Sequence, residues 1–549
     1  MCQYDMSKVE TEALHTNQNV YENRNSLDKK KEKPSESEGG ALQKTLKAEQ
    51  FRAVELPKAV KTNQTPEERM KEEEDKNRKV KLIDALCEQA MCMVRNFILE
   101  AKIQGEYGEW QRKAEKLFES VKTAFSKQNT IECILGKIFS LTTGAKLQSV
   151  KEFSLYFNEI QIENMRKVAA TLKEPIEQTL NDILYWGIRY QQSSVEKIFL
   201  TDSDMHARGV GVCIVTYKAW FSKKKVVIKP EDKSFEKMVY GKEKEGEERS
   251  LASIYNKEIL EKGKINFVKA NNENISLKKE SIGKLGIDVS EHGSAVEYYE
   301  HDELQKGEDK KVNETSVMAL VSFASLLGMA DLHRENAVYG GKDRKKIQII
   351  DGETAMKYNL DEEKPLNSVL WNGEMGLGPA VSIPSHLIPQ IDAGEFHYDL
   401  TALEQFLEKI EEKFKGKRSR IVPLATGVFY TMRTNAYSGV LSKESYFKNF
   451  EEGGLFQILK SYGVSDVKNM ILKPDELFRK TKLDYLKGRI PFFEYDFSKG
   501  AVYQKFSDGT EMLFLQCDKL KLEHMIAQRK HTLEQENITY FLTTIFGQS

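Results

Sequence analysis

The chain has 549 residues, enough for roughly three to four domain-sized units, and its 83 Lys plus Arg almost cancel 84 Asp plus Glu. No global field therefore draws it to nucleic acid or to an anionic membrane. The six cysteines, at 2, 87, 92, 133, 213 and 517, form no CxxC pair and no Cys-His doublet, which argues against a disulfide framework and a thiolate zinc site.

Residues 1–75 are polar and charged, with KKKEKPSESEGG and TPEERMKEEEDKNRK, and are expected to form a flexible tail because few apolar groups offset the entropy of ordering. They also lack the apolar core of a signal peptide, so a cytoplasmic location is expected, with export as an effector the alternative. From Val80, apolar residues Leu82, Leu86, Met91, Val94 and Ile98 recur at helical spacing, and the pattern defines a helical subdomain over 76–198. Tyr185, Trp186 and Tyr190, like Met91 and Met93, are expected to be helix packing.

Between 209 and 229 the pattern turns to β-branched runs, GVGVCIVTYKAW and then FSKKKVVIKP, and predicts a hairpin. Lys223, Lys224 and Lys225 read as its charged turn. A charged stretch follows over 231–279. The next helix is expected over 314–328, with Asn313 and Thr315 as capping candidates. It contains the most apolar stretch, MALVSFASLLGMA, which is too short to span a bilayer. After DLHRENAVY comes IQIID, a short apolar strand ending in an acid. The main catalytic unit is placed at 199–505, and 506–549 are expected to be a helical C-terminal segment.

Phosphoryl transfer asks a protein for a cation on the phosphates, oxygen ligands for magnesium and a carboxylate near the attacking hydroxyl. Lys229 closes the strand VVIK and can offer an ammonium to phosphate oxygens. Asp331 and Asn336 lie five residues apart on one loop, as base and metal ligand, and Asp351 at the end of a strand supplies a second hard oxygen ligand. Singly, Asp331 reads as a turn cap, His333 as a core histidine and Asp351 as a strand end. Together, D-x-H-x-x-N, a strand and then D-x-E reproduce the order in which kinases present base, Asn ligand and Asp ligand. Gly209 and Gly211, just before the Lys229 strand, could expose backbone N–H groups to a phosphate.

These blocks resemble the dehydratase domain of class II lanthipeptide synthetases. Asp204-Met205-His206-Ala207-Arg208-Gly209 with VVIKP is similar to the family's D-x-H-x-x-G and K-P-R segments, and GMADLHRENAVY with IQIIDGETAM is similar to its T-D-x-H-x-E-N and I-D-x-E segments. NSVLWNGEMGLGP and GRIPFF match more loosely, so the resemblance covers about 200–495. It implies an α+β, lipid-kinase-like bilobal core preceded by a helical subdomain, binding ATP and Mg2+. Such enzymes phosphorylate Ser or Thr of a precursor peptide and then eliminate the phosphate, a lyase step of lantibiotic biosynthesis.

Carried across, Lys229 holds the nucleotide phosphates with Gly209 and Gly211 beside it. Asp331 and His333 serve the hydroxyl, Asn336 and Asp351 hold magnesium, and Glu353 sits beside the metal. Asp204 and His206 belong to the same site, and Arg433 with Thr434, in FYTMRTNAYSGVL, is the nearest counterpart of the elimination motif. Three motifs depart from the family: Glu231 follows Lys229-Pro230 where the family has Arg, the upstream arginine of the elimination motif has no counterpart, and Arg489 opens the segment whose family counterpart begins with Asp. No cyclase ligands follow, so any cyclase that acts on the product is expected to be a separate protein. Two rival expectations stand beside this one. One is a kinase-fold transferase that stops at the phosphoester on a protein or lipid target. The other is an inactive scaffold.

Overall fold

A computed structural model describes residues 65–143, 159–201, 203, 205, 208–219, 222–269, 271–300, 314–329, 336–340, 346–352, 394–421, 426–453, 466–489, 492–535 and 538–539. Two compact units are distinguished, 1–86 and 87–549. The described part of the first is the opening of helix α1, Pro66–Glu100. Pro66 sits at the first helical position, where its missing N–H costs nothing. Ten residues of the expected flexible tail, 66–75, are therefore helical, because glutamates in a first turn favour a helix without any apolar face.

The second unit mixes helices and sheets, an α+β arrangement. Its N-terminal part holds α2 (Gln111–Phe125), α3 (Gln128–Thr143), α4 (Glu159–Thr171) and α5 (Lys173–Arg189). Helix α2 buries Leu117, Phe118, Val121 and Phe125, a stripe at helical spacing that packs beside α5 and the first strand. Strand β1 (Ser194–Leu200) pairs antiparallel with β2 (Cys213–Lys218), and β2 with β3 (Lys223–Lys229). This is the expected hairpin.

The three lysines belong to β3 rather than to its turn. Lys223 pairs with Glu196 at 2.7 Å, while Lys224 and Lys225 stand over the rings of Tyr190 and Tyr298, 3.2 and 3.4 Å from their centroids.

The stretch 231–279, read from sequence only as charged, contains α6 (Ser234–Tyr240), α7 (Leu251–Tyr255), β4 (Ile265–Lys269) and β5 (Asn274–Ser276). Strands β6 (Ile287–Ser290) and β7 (Gly293–Glu297) complete a five-stranded sheet in the order β1-β2-β3-β7-β6. Helix α8 (Glu314–Leu327) is buried nearly all round, and Ser322 finds its partner in the Tyr255 hydroxyl at 2.7 Å. Thr315 lies inside this helix, its hydroxyl on Glu280, and Asn313 is outside the described residues.

The short hairpin of β8 (Ala337–Gly340) and β9 (Lys346–Ile349) follows. Strand β10 (Gly394–Tyr398) joins β4, and α9 (Leu400–Phe414) is capped by Asp399. Strand β11 (Arg418–Ile421) precedes α10 (Thr426–Tyr437), α11 (Lys443–Gly453) and α12 (Pro474–Leu486). With β12 (Phe492–Asp496), β13 (Ala501–Lys505) and β14 (Glu511–Gln516) it forms an antiparallel sheet in chain order.

The C-terminal segment 506–549 is not simply helical. It supplies β14 before α13 (Leu522–Gln535), because EMLFLQ pairs with β13 and buries Phe514 and Leu515. Among the described residues no helix is long and apolar enough to cross a membrane.

Candidate functional site

Strand β3 carries its exposed lysines first and then buries Val226, Ile228 and Lys229 as it enters the sheet centre between β2 and β7. Lys229, the last residue of the strand, is held by the β7 ladder opposite Ser294, one residue past the end of the β2 pairing at Ile228. Its ammonium lies 2.9 Å from Asp351 Oδ2 and 3.3 Å from the Ile350 carbonyl.

Asp351 arrives from the other direction, two residues past β9. Its N–H and that of Ile350 both donate to the Asn336 carbonyl, at 3.1 and 2.8 Å, which ties the two expected metal ligands together through backbone. The next residue explains the Asp-Gly sequence. A Cβ on Gly352 would stand 2.6 Å from Met329 Cε and 2.8 Å from Ile349 Cγ2, and its N–H donates to the Tyr240 hydroxyl at 3.0 Å. Burial pushes the Tyr240 phenol well above its ordinary value, so it stays a neutral partner.

Sequence reasoning missed two residues here. Lys233, 3% exposed, puts its ammonium 3.0 Å from Asp351 Oδ1, 2.8 Å from Glu236 Oε1 and 3.4 Å from Glu231 Oε2. Glu236, on the first turn of α6, is as deeply buried. The available signal was an i,i+3 Lys–Glu pair immediately after the Lys229 strand. Each oxygen of Asp351 thus faces a different lysine. Burial pushes its carboxyl up, but the charges of Lys229 and then Lys233 outweigh this and hold it well below the usual carboxylate range. Glu231 links onward to Arg420 Nη2 of β11, at 3.3 Å.

The glycine segment has a different character. Gly209 and Gly211 have φ of 80° and 119°. The Gly209 N–H donates to Gln178 Oε1 at 3.2 Å, that of Val210 to Thr179 Oγ1 at 2.9 Å and that of Val212 to Ser203 Oγ at 2.8 Å. These three amides are engaged by side chains, so a phosphate would have to displace Gln178, Thr179 or Ser203 to reach them. The preceding residue, Arg208, grips Asp182 of α5 with Nε at 3.3 Å and with Nη2.

Arg433 and Thr434 lie on α10. Arg433 is fully buried and its Nε donates to the Arg489 carbonyl at 3.4 Å, while Arg489 Nη1 donates to the Gly209 carbonyl at 2.6 Å. Burial pulls the Arg489 guanidinium down to about 10, still charged at neutral pH. Thr434 Oγ1 lies 3.4 Å from the Thr142 carbonyl. Arg433 joins the glycine segment through Arg489, whereas Lys229, Lys233, Glu236 and Asp351 form a second group. Asp204, His206, Asp331, His333 and Glu353 lie outside the described residues.

A cavity of about 560 Å³ opens against the turn after β3, with Lys233 and Glu236 on one wall, Gln178 and Arg208 on another and Arg420 and Phe492 on a third. That volume suits a drug-sized ligand or a few side chains of a peptide. Among the described residues no group of three His, Cys, Asp or Glu could hold a metal ion. Magnesium asks for less, since one or two carboxylates suffice when phosphates and waters complete its shell, and the Asp351 carboxylate, tied to Asn336 through backbone, meets that demand once one of its lysines releases an oxygen. No protein-family model matches the chain, and no curated protein matches it either.

Proposed function

We propose that this chain is an ATP- and magnesium-dependent phosphotransferase of kinase-like bilobal fold that phosphorylates Ser or Thr hydroxyls of a peptide or protein, in the manner of lanthipeptide dehydratases. The observation that carries this reading is the 2.9 Å pair between Lys229, at the end of β3, and Asp351, just past β9. A strand-borne lysine and an aspartate just past another strand, brought to one point, supply the phosphate cation and the metal ligand that a kinase-like site sets side by side.

In this reading Lys229 holds phosphate oxygens, and Asp351 with Asn336 ligates magnesium. Bound there, magnesium would neutralise charge on the transferred phosphoryl group. Asp331 with His333 takes the proton of the attacking hydroxyl, by the sequence pattern that places them before Asn336. The neutral Tyr240 hydroxyl fixes the Asp351–Gly352 turn, so that the carboxylate is aimed before the ligand arrives. The cavity beside Lys233 and Arg208 gives an acceptor segment room to lie.

A second reading, transfer without elimination, is favoured by the burial of Arg433. Elimination needs a cation on the departing phosphate. Arg433 is 0% exposed, with Nε on a backbone carbonyl.

Mass spectrometry of Ser- and Thr-rich peptides incubated with the protein, ATP and Mg2+ tests both readings. A gained phosphoryl group supports transfer alone, and a net loss of water shows transfer followed by elimination. Asp351→Asn is expected to cut either product by a factor on the order of 10³. Full turnover in that variant would sink the metal assignment. Absence of both nucleotide binding and mass change would leave an inactive scaffold.

A further inference from the structure

Lys233 has no part in the scheme above, yet its ammonium touches three carboxylates at the centre of the site. Its backbone is fixed: the Lys233 N–H donates to Ser294 Oγ at 2.9 Å, and that hydroxyl donates to the Glu231 carbonyl at 2.8 Å. A buried ammonium needs a compensating charge, and Glu236 at 2.8 Å already supplies one. The additional bond to Asp351 therefore calls for a different account.

Asp351 has two oxygens and each is 2.9 to 3.0 Å from a lysine, Lys229 on Oδ2 and Lys233 on Oδ1. A divalent cation on this carboxylate comes within reach of both ammonium groups, and repulsion between the like charges favours release of one of them. Lys229 also donates to the Ile350 carbonyl. Lys233 is the lysine that can let go at low cost, because its charge stays compensated by Glu236 and Glu231. Of these two lysines, Lys233 is also the one that faces the cavity.

We infer that Lys233 is an exchangeable cation of the site, neutralising Asp351 while no metal is held and passing to a phosphate oxygen when a magnesium-bound polyphosphate enters. The inference rests on the nucleotide and magnesium reading of Asp351. No covalent bond changes in the exchange: one ammonium leaves Oδ1, the metal takes that oxygen, and the ammonium gains a phosphate oxygen in place of a carboxylate. Lysine suits this part, as a compact point charge on a flexible stem without a fixed fork.

Titration calorimetry of the full chain and its Lys233→Met variant tests the exchange through Mg2+ alone, ADP with chelator, and Mg·ADP. Removing the competing ammonium is expected to tighten Mg2+ alone by about tenfold and to weaken metal-free ADP by about tenfold, the worth of one charge-assisted hydrogen bond. Unchanged affinities in both arms would make Lys233 a structural neutraliser of Glu236 and overturn the exchange. So would weaker Mg2+ binding, or movement in one arm only. Should Lys233→Met not fold, the Lys233→Met/Glu236→Gln pair, which removes both charges together, is compared with Glu236→Gln alone for the same two signs. Wild-type protein that takes no Mg·ADP would overturn the nucleotide reading itself.

Discussion

Asp182 and Asp351 are both carboxylates held by more than one cationic or titratable side chain, and the difference between their partners separates a rivet from a site. Asp182 is gripped by the planar fork of Arg208 and meets His292 Nδ1 at 3.2 Å, with its own side chain 2% exposed. Arg208 also donates to the Glu291 carbonyl at 2.7 Å, and His292 stacks on Tyr185 with centroids 4.2 Å apart. Every partner is fixed by a second contact. Asp351 is 29% exposed along its side chain and is held by two separate ammonium groups, one on each oxygen. A fork locks geometry, whereas point charges on flexible stems can exchange.

The largest effect that would break this comparison is at Asp182. Asp182→Asn leaves the partly buried Arg208 without its charge partner and is expected to cost about 3 kcal/mol of stability, the lower end for a buried pair because Arg208 is partly solvated. Denaturant unfolding measures that loss, while calorimetry on the folded fraction should find Mg·ADP affinity within a few-fold of wild type. Unaltered stability with nucleotide affinity lost would reverse the assignment, making Asp182 the site and not the rivet.

A smaller effect sharpens what the rivet holds. Gly209 and Gly439 share nearly the same φ, 80° and 77°, but a Cβ on Gly209 would stand 2.7 Å from Thr179 Oγ1, while one on Gly439 meets nothing within 4 Å. Gly439→Ala is expected to cost about 1 kcal/mol, the price of a left-handed backbone alone. Gly209→Ala adds displacement of the Thr179 hydroxyl that accepts from Val210, for a total of about 2 to 3 kcal/mol. Equal melting temperatures for the two variants would show that the glycine segment does not press on α5.

How far the sequence reveals these features depends on the range of the interaction that makes them. The hairpin of β2 and β3 is legible because Cys213, Val215 and Tyr217 alternate inward over neighbouring positions. Lys229 and Asp351 are legible only because a known order of residues surrounds them, since no local pattern says that the two meet. Lys233 and Glu236 were hidden by composition: charge is dense across 231–279, so two buried members look like the rest. Arg489 reads as a departure from a motif, and its bond to the Gly209 carbonyl joins distant parts of the chain that no periodicity connects. The strand Glu511–Gln516 is hard to see in the sequence because the helix Leu522–Gln535 lies a few residues beyond it and a single helical segment covers both.

A smaller effect than that at Gly209 lies at Glu243, a structural acid apart from both clusters. Its carboxylate accepts from the Ser250 N–H and hydroxyl, both at 2.7 Å, and from Lys284 at 2.8 Å, which seats the Ser250 cap of α7. Burial pushes this carboxyl up, but Lys284, Ser253 and Ser250 together outweigh it and leave it below the usual range. A folded-state value below the unfolded one, about 4.3, means that the unfolded chain binds more protons through the acid range. The stabilisation is then fully present above the unfolded value and is lost progressively as pH falls from there toward the lower folded one. Glu243→Gln is expected to cost about 1.5 kcal/mol at neutral pH, by loss of charge-assisted hydrogen bonds. Urea unfolding of wild type and variant from pH 7 to 3 should show the gap constant down to about pH 5 and shrinking below about pH 4. A gap that stayed constant to pH 3 would mean that the carboxylate charge plays no part in holding the cap, and that Glu243, like Asp182, works through geometry.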